Sequence, residues 1–183
     1  MKSSRLILAL SALAVLAACS GEVGPDAPKP LALTSEAIGH YCGMNVLEHP
    51  GPKGQIMLGQ IPEPIWFSSV RDAVAFTMLP EEPKDISAIY VSDMAKAPSW
   101  EEPGPVNWID ARHAYYVIGS AMRGGMGAPE TVPFSTEAAA AKFAGDNGGE
   151  VVSFADIPRD YVLGTDETGA NGDPTPQTTG ATH

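Results

Sequence analysis

Two segments sixty-seven residues apart repeat one pattern, and that repeat limits the folds open to this chain more than any other feature. Phe67, Ser68, Ala73 and Phe76 of Trp66-Phe67-Ser68-Ser69-Val70-Arg71-Asp72-Ala73-Val74-Ala75-Phe76 fall on Phe134, Ser135, Ala140 and Phe143 of Pro133-Phe134-Ser135-Thr136-Glu137-Ala138-Ala139-Ala140-Ala141-Lys142-Phe143. In each copy an aromatic residue precedes a hydroxyl N-cap, at Ser68 and Ser135, and a short helix follows. Strand signals flank both helices: 55–58 and 65–67 before the first and 86–91 after it, 106–109 and 114–119 before the second and 150–154 after it. Tyr115-Tyr116-Val117-Ile118, aromatic and β-branched up to Gly119, is the strongest of these, and Asn147-Gly148-Gly149 stops the second helix. Strand–strand–helix–strand, twice over, predicts an α+β protein: two similar ββαβ-type lobes in one compact unit, over residues 37–98 and 99–163. The proline-marked stretch 97–105 links them.

The ends carry no such pattern. Lys2 and Arg5 precede an apolar run over 6–16, too short to span a membrane as a stable anchor, and the run closes on Leu16-Ala17-Ala18-Cys19. That is the order of a bacterial lipobox, so residues 1–18 are expected to be a lipoprotein signal and Cys19 an acylated N-terminus. More than one acyl chain on a residue anchors stably where a single chain is marginal. Ser20, in place of Asp, favours the outer membrane. Residues 19–36, with Pro25, Pro28 and Pro30, read as a tether, and 164–183, rich in Gly, Thr, Pro and Asp, as a disordered tail.

Lipidation of Cys19 would leave Cys42 as the one thiol. The sequence has two cysteines, so no intrachain disulfide is then available and the fold must rest on its core. Cys42 sits in His40-Tyr41-Cys42-Gly43-Met44, where thiolate, thioether and imidazole are the donors that suit Cu(I). Gly43 lets the chain turn between the two sulfurs so that both can aim at one point. Met126, between Gly125 and Gly127 in the loop after the strongest strand, has no helical or strand period to place it in a core. A buried inert cysteine beside core methionines remains the other reading of these residues.

Other chemistries fit less well. The formal charge of −11, two units more negative without Lys2 and Arg5, excludes nucleic-acid binding. No phosphate-binding glycine loop, Cys-x-x-Cys or His-x-x-x-His occurs. A thiol enzyme would need His40 or His49 as the base for Cys42. His40 and Cys42 would share a face in an extended strand, but no thiol-hydrolase signature surrounds them.

Several stretches together resemble the nitrous oxide reductase accessory lipoprotein family, NosL. They are the lipobox at Cys19, His40-Tyr41-Cys42-Gly43-Met44, His49-Pro50-Gly51-Pro52-Lys53-Gly54-Gln55-Ile56, Trp66-Phe67-Ser68-Ser69-Val70-Arg71-Asp72, Ala111-Arg112, Tyr116-Val117-Ile118-Gly119-Ser120, Gly125-Met126-Gly127 and Val132-Pro133-Phe134-Ser135. The resemblance implies a periplasm-facing lipoprotein without enzymatic activity that handles Cu(I) for the copper centres of nitrous oxide reductase. It implies as partner the periplasmic subunit of an ABC-type maturation complex and, through it, the reductase. It also implies a fold related to organomercurial lyase, whose chemistry needs a second cysteine that this chain lacks. The family's motif falls on Cys42 and Met44, with Met126 third and His40 as fallback ligand or supporting group. Arg123-Gly124-Gly125 precedes Met126 where the family's pattern places a Gly-Pro pair nearer the methionine, so Met122 competes for the third position.

Overall fold

Each half of the chain builds an antiparallel sheet around the first strand of its repeat. The computed structural model describes residues 27–164, so Cys19, the signal segment and the tail lie outside it. In the first half, β1 (Gly54–Leu58) pairs with both β2 (Ile65–Phe67) and β3 (Ile86–Ser92), and α1 (Val70–Met78) crosses between β2 and β3. β4 (Trp108–Asp110) then adds to the free edge of β3. In the second half, β5 (Tyr115–Ile118) is the central strand, flanked by β6 (Val132–Phe134) and β7 (Glu150–Ser153), with α2 (Glu137–Asn147) between those two. A short α3 (Arg159–Leu163) is the last element among the described residues. The sheet orders are β2-β1-β3-β4 and β6-β5-β7, so the two ββαβ units share one topology.

Three local assignments differ from the sequence expectation. The strand expected over 106–109 forms at Trp108–Asp110 but joins the first sheet through β3. The strand entering α2 is β6, which carries Pro133 and gives little strand signal; Pro is tolerated there because β6 is an edge strand. The helix caps are Ser69 and Thr136, one residue beyond Ser68 and Ser135. Thr136 accepts a bond from the Ala139 amide, whereas Ser69 makes no capping bond of its own.

Central strands alternate their side chains between two cores. On β5, Tyr116 faces a cluster that holds Ile56, Phe67, Val74, Phe76 and Val91 of the first half. Val117 faces the opposite way, onto Phe134, Ala140 and the partly buried Phe143 of α2. The main core is thus common to both halves. Between them, Asp93, fully buried at the end of β3, accepts from the Ser135 amide (2.9 Å), and the Met94 amide donates to the Pro133 carbonyl (2.9 Å).

Candidate metal centre

The segment before β1 folds back on itself and is pinned to the entrance of α1. The Val46 amide donates to the Ala37 carbonyl (3.0 Å), Gly39 to Met44 (2.9 Å) and Gly43 to Gly39 (2.8 Å). Gly43 takes φ +66°, a left-handed conformation that side chains resist, so the turn between the two sulfurs is the one expected. The His40 amide donates to the Trp66 carbonyl (2.8 Å), which fixes the turn beside β2. Asn45 caps the short 3-10 turn Val46–Glu48 and anchors the far side through Ser35.

The side chains on this turn differ in exposure and contacts. The Cys42 sulfur points inward, 3.6 Å from the Ser68 hydroxyl and 4.0 Å from the carbonyls of Gly39 and Met44, and stays half-buried. Its room comes from Gly39, where a Cβ would lie 2.5 Å from Sγ. Met44 is 40% exposed. His40 turns away from the thiol: its ring packs against Phe67 and Phe76, and Nε2 lies 3.5 Å from a Glu82 carboxylate oxygen. The Tyr41 hydroxyl donates to the same oxygen (2.8 Å), and burial followed by Glu82 pushes its pKa well above the normal range. His40 and Cys42 therefore occupy a turn and not the extended strand that a base and nucleophile sharing a face would need.

Met126 arrives from the other half. In the loop between β5 and β6 the Gly127 amide donates to Gly124 (2.8 Å) and the Gly124 amide to Ala128 (2.9 Å), which puts Gly125 and Met126 at the apex of a tight turn. Met126 is 53% exposed, whereas Met57 on β1 is 4% exposed, so Met126 is no core filler. Met122 sits half-buried on the stem, next to Ala121, whose amide donates to the end of α2 at Asn147 (2.9 Å). The apex lies on the first half: His49 Nδ1 is 3.3 Å from the Gly125 carbonyl, and a Cβ on Gly125 would meet the His49 Cβ at 2.5 Å.

Two buried charges brace the arrangement. Lys53, fully inside, donates to the carbonyls of His49 (2.5 Å), Pro50 (3.1 Å) and Ser68 (3.5 Å), tying the Cys42 segment to the start of α1. Burial pulls its pKa down to about 8, against the pull of Glu130 and Cys42. Glu130 is also fully buried; one carboxylate oxygen accepts from the amides of Arg71 (2.8 Å) and Thr131 (2.9 Å). Burial raises its pKa to about 7 against those bonds.

Cys42 and Met44 thus share one turn, Met126 stands on a loop packed against the same segment, and His40 is engaged with Glu82. Cys19 lies outside the described residues. Lys53 and Glu130 join the site without a sequence signal of their own, Lys53 only within a stretch that carries the family resemblance; the sequence offers His49 as a base for a thiol enzyme and Ser68 as the expected cap of α1. His49 adds a buried Nε2 without a hydrogen-bond partner, an imidazole nitrogen chemically able to bind a metal. Among the described residues no group of three or more His, Cys, Asp or Glu side chains is placed to hold a metal ion; Met44, on the same turn as Cys42, and Met126 are the soft donors that remain.

Fold and site together define a class: a twin-ββαβ α+β protein with a half-buried thiol and an exposed thioether on one turn and a second exposed thioether on a loop packed against His49. The NosL family model matches residues 30–162, and the chain belongs to that family. The copper-binding lipoprotein NosL of Achromobacter cycloclastes is 51% identical over 167 residues, covering 91% of this chain and 86% of that protein. The copper-binding lipoprotein NosL of Stutzerimonas stutzeri is 35% identical over 129 residues, covering 70% and 66%. Among solved structures, the copper chaperone NosL of Shewanella denitrificans superposes with a TM-score of 0.67 at 34% identity, covering 72% of this chain and 96% of that one.

Proposed function

We propose that this protein is a lipid-anchored copper chaperone that carries Cu(I) on Cys42, Met44 and Met126. The observation behind the proposal is the placement of a half-buried thiol and an exposed thioether on one glycine turn, with a second exposed thioether on the loop packed against it. Soft sulfur donors select Cu(I), and thioethers have no proton to lose, so only the thiol must deprotonate on loading. Copper is cargo: three sulfurs can hold it, and exposed Met44 and Met126 can be exchanged for a receiver's ligands. His40 supports the turn from its contact with Glu82. Acylation of Cys19 would hold the protein on a membrane facing the periplasm, the outer membrane being favoured by Ser20. The copper is delivered to the periplasmic subunit of an ABC-type complex and, through it, to the copper centres of nitrous oxide reductase. The names of the relatives support the copper-binding, lipoprotein and chaperone elements of this reading.

Thiol labelling tests it. In the apo protein Cys42 reacts with a thiol reagent, and one equivalent of Cu(I) protects it. Labelling that is slow from the start points to an inert structural cysteine, and labelling that copper leaves unchanged overturns the proposal.

A further inference from the structure

We infer that Glu130 and Tyr161 are positioning residues that set the Met126 loop against the first turn of α1, and so fix Met126 relative to Cys42. The inference rests on the copper reading above. The loop leaves β5 at Gly119 and returns at Glu130, and a single phenol closes its mouth: the Gly119 amide donates to Tyr161 Oη (3.1 Å), which donates to the Glu130 carbonyl (2.9 Å). Tyr161 belongs to α3, which is tied to α1 by Arg159 donating to the Met78 carbonyl (2.8 Å). From the closed mouth the Glu130 side chain reaches across to α1. Its Oε1 takes the Arg71 amide, and its Oε2 faces Gly124, where a Cβ would lie 2.5 Å from that oxygen and 3.3 Å from Ser69 Oγ.

Gly124 opens the tight turn whose apex is Met126. Ser68, the neighbour of Ser69, is the hydroxyl against the Cys42 sulfur. The entrance and first turn of α1 therefore meet both halves of the site, Cys42 through Ser68 just before the cap and the Met126 loop through Arg71 and Glu130. A fully buried carboxylate is a costly brace, since an apolar side chain would fill the same space without losing the solvation of a charge. What an apolar residue cannot do is accept an α1 amide while lying against Gly124. That geometric task accounts for a polar acceptor at this buried position.

The test is a double-mutant cycle on Cu(I) affinity, by chelator competition, with hydrogen exchange on the apo protein as a copper-independent readout. Tyr161→Phe and Glu130→Leu, which removes the acceptor for the Arg71 amide, are each made with Met126 present and in Met126→Ala. With Met126 present, each lowers affinity by roughly three- to tenfold, the scale of one hydrogen bond's net worth; in Met126→Ala neither lowers it further. In the apo variants the Gly124 and Gly127 amides exchange faster while the Val117 amide is unchanged. Equal losses in both backgrounds would mean a general structural role and overturn the inference. So would unchanged exchange at Gly124 and Gly127. Faster exchange together with no copper penalty for Met126→Ala itself would remove Met126 as a ligand, and with it the positioning role at the metal.

Discussion

A thiol set among two carbonyls and a serine hydroxyl, yet half open to solvent, can be loaded and unloaded without unfolding the turn that carries it. Gly39 is what makes room for it. Gly39→Ala should push the sulfur off its position and weaken Cu(I) binding although every ligand is retained; unchanged affinity would show that the turn adapts freely. Met44→Ala should also weaken copper binding but leave the thiol's reactivity with an alkylating reagent intact, because the Met44 carbonyl that lies 4.0 Å from the sulfur is backbone and survives the substitution. Loss of thiol reactivity in that variant would contradict the assignment. These residues were legible in the sequence because Cys42, Gly43 and Met44 are local to one another. Glu130 was not, since nothing in a chain links it to Arg71 until the second half folds against the first.

Among the elements, α1 has the greatest consequence for the site, because its first turn meets Ser68, Ser69 and, across the halves, Glu130. The raised pKa of Glu130 gives that contact a measurable signature. In the unfolded chain the carboxyl ionises near 4.5, and in the folded protein near 7. Between those values the folded state keeps a proton that the unfolded state loses, so stability falls as pH rises through the window and this group adds no further change above it. A shift of that size corresponds to about 3 kcal/mol. Asp72 on α1 and Lys53 beside β1 face the same region, so the prediction concerns the difference between variants. Urea denaturation from pH 4.5 to 7 should show a steeper decline for wild type than for Glu130→Gln; parallel curves would contradict it. The repeated helices were readable from Phe67 and Phe134 onward, and β5 from its aromatic and β-branched run. β6 carries no strand signal because three residues with a central proline show no periodicity, and β4 was legible as a strand but its sheet was not, because a strand signal does not name its partner.

For the whole molecule, the candidate site exists only while the halves stay together, since one contributes Cys42 and Met44 and the other Met126. Asp93 is one polar joint between them, taking the Ser135 amide across the halves and the Ala95 amide on its own side, and pairing with Lys96 at 3.1 Å. Asp93→Ala would strand those amides in a buried site and should lower unfolding stability by about 2–4 kcal/mol, weakening copper binding in step. A variant as stable as wild type would show that the shared apolar core joins the halves unaided. The pairing of the halves could be foreseen from the duplication, but not that one core would run through both, because Tyr116 and Val117 divide between cores only once the strand is placed. The most direct test of the account is a Cu(I) titration against a competing chelator, using soluble protein that lacks residues 1–19, with wild type beside Cys42→Ser. The account predicts tight one-to-one binding that disappears in the variant; no binding, or binding indifferent to Cys42, would contradict it.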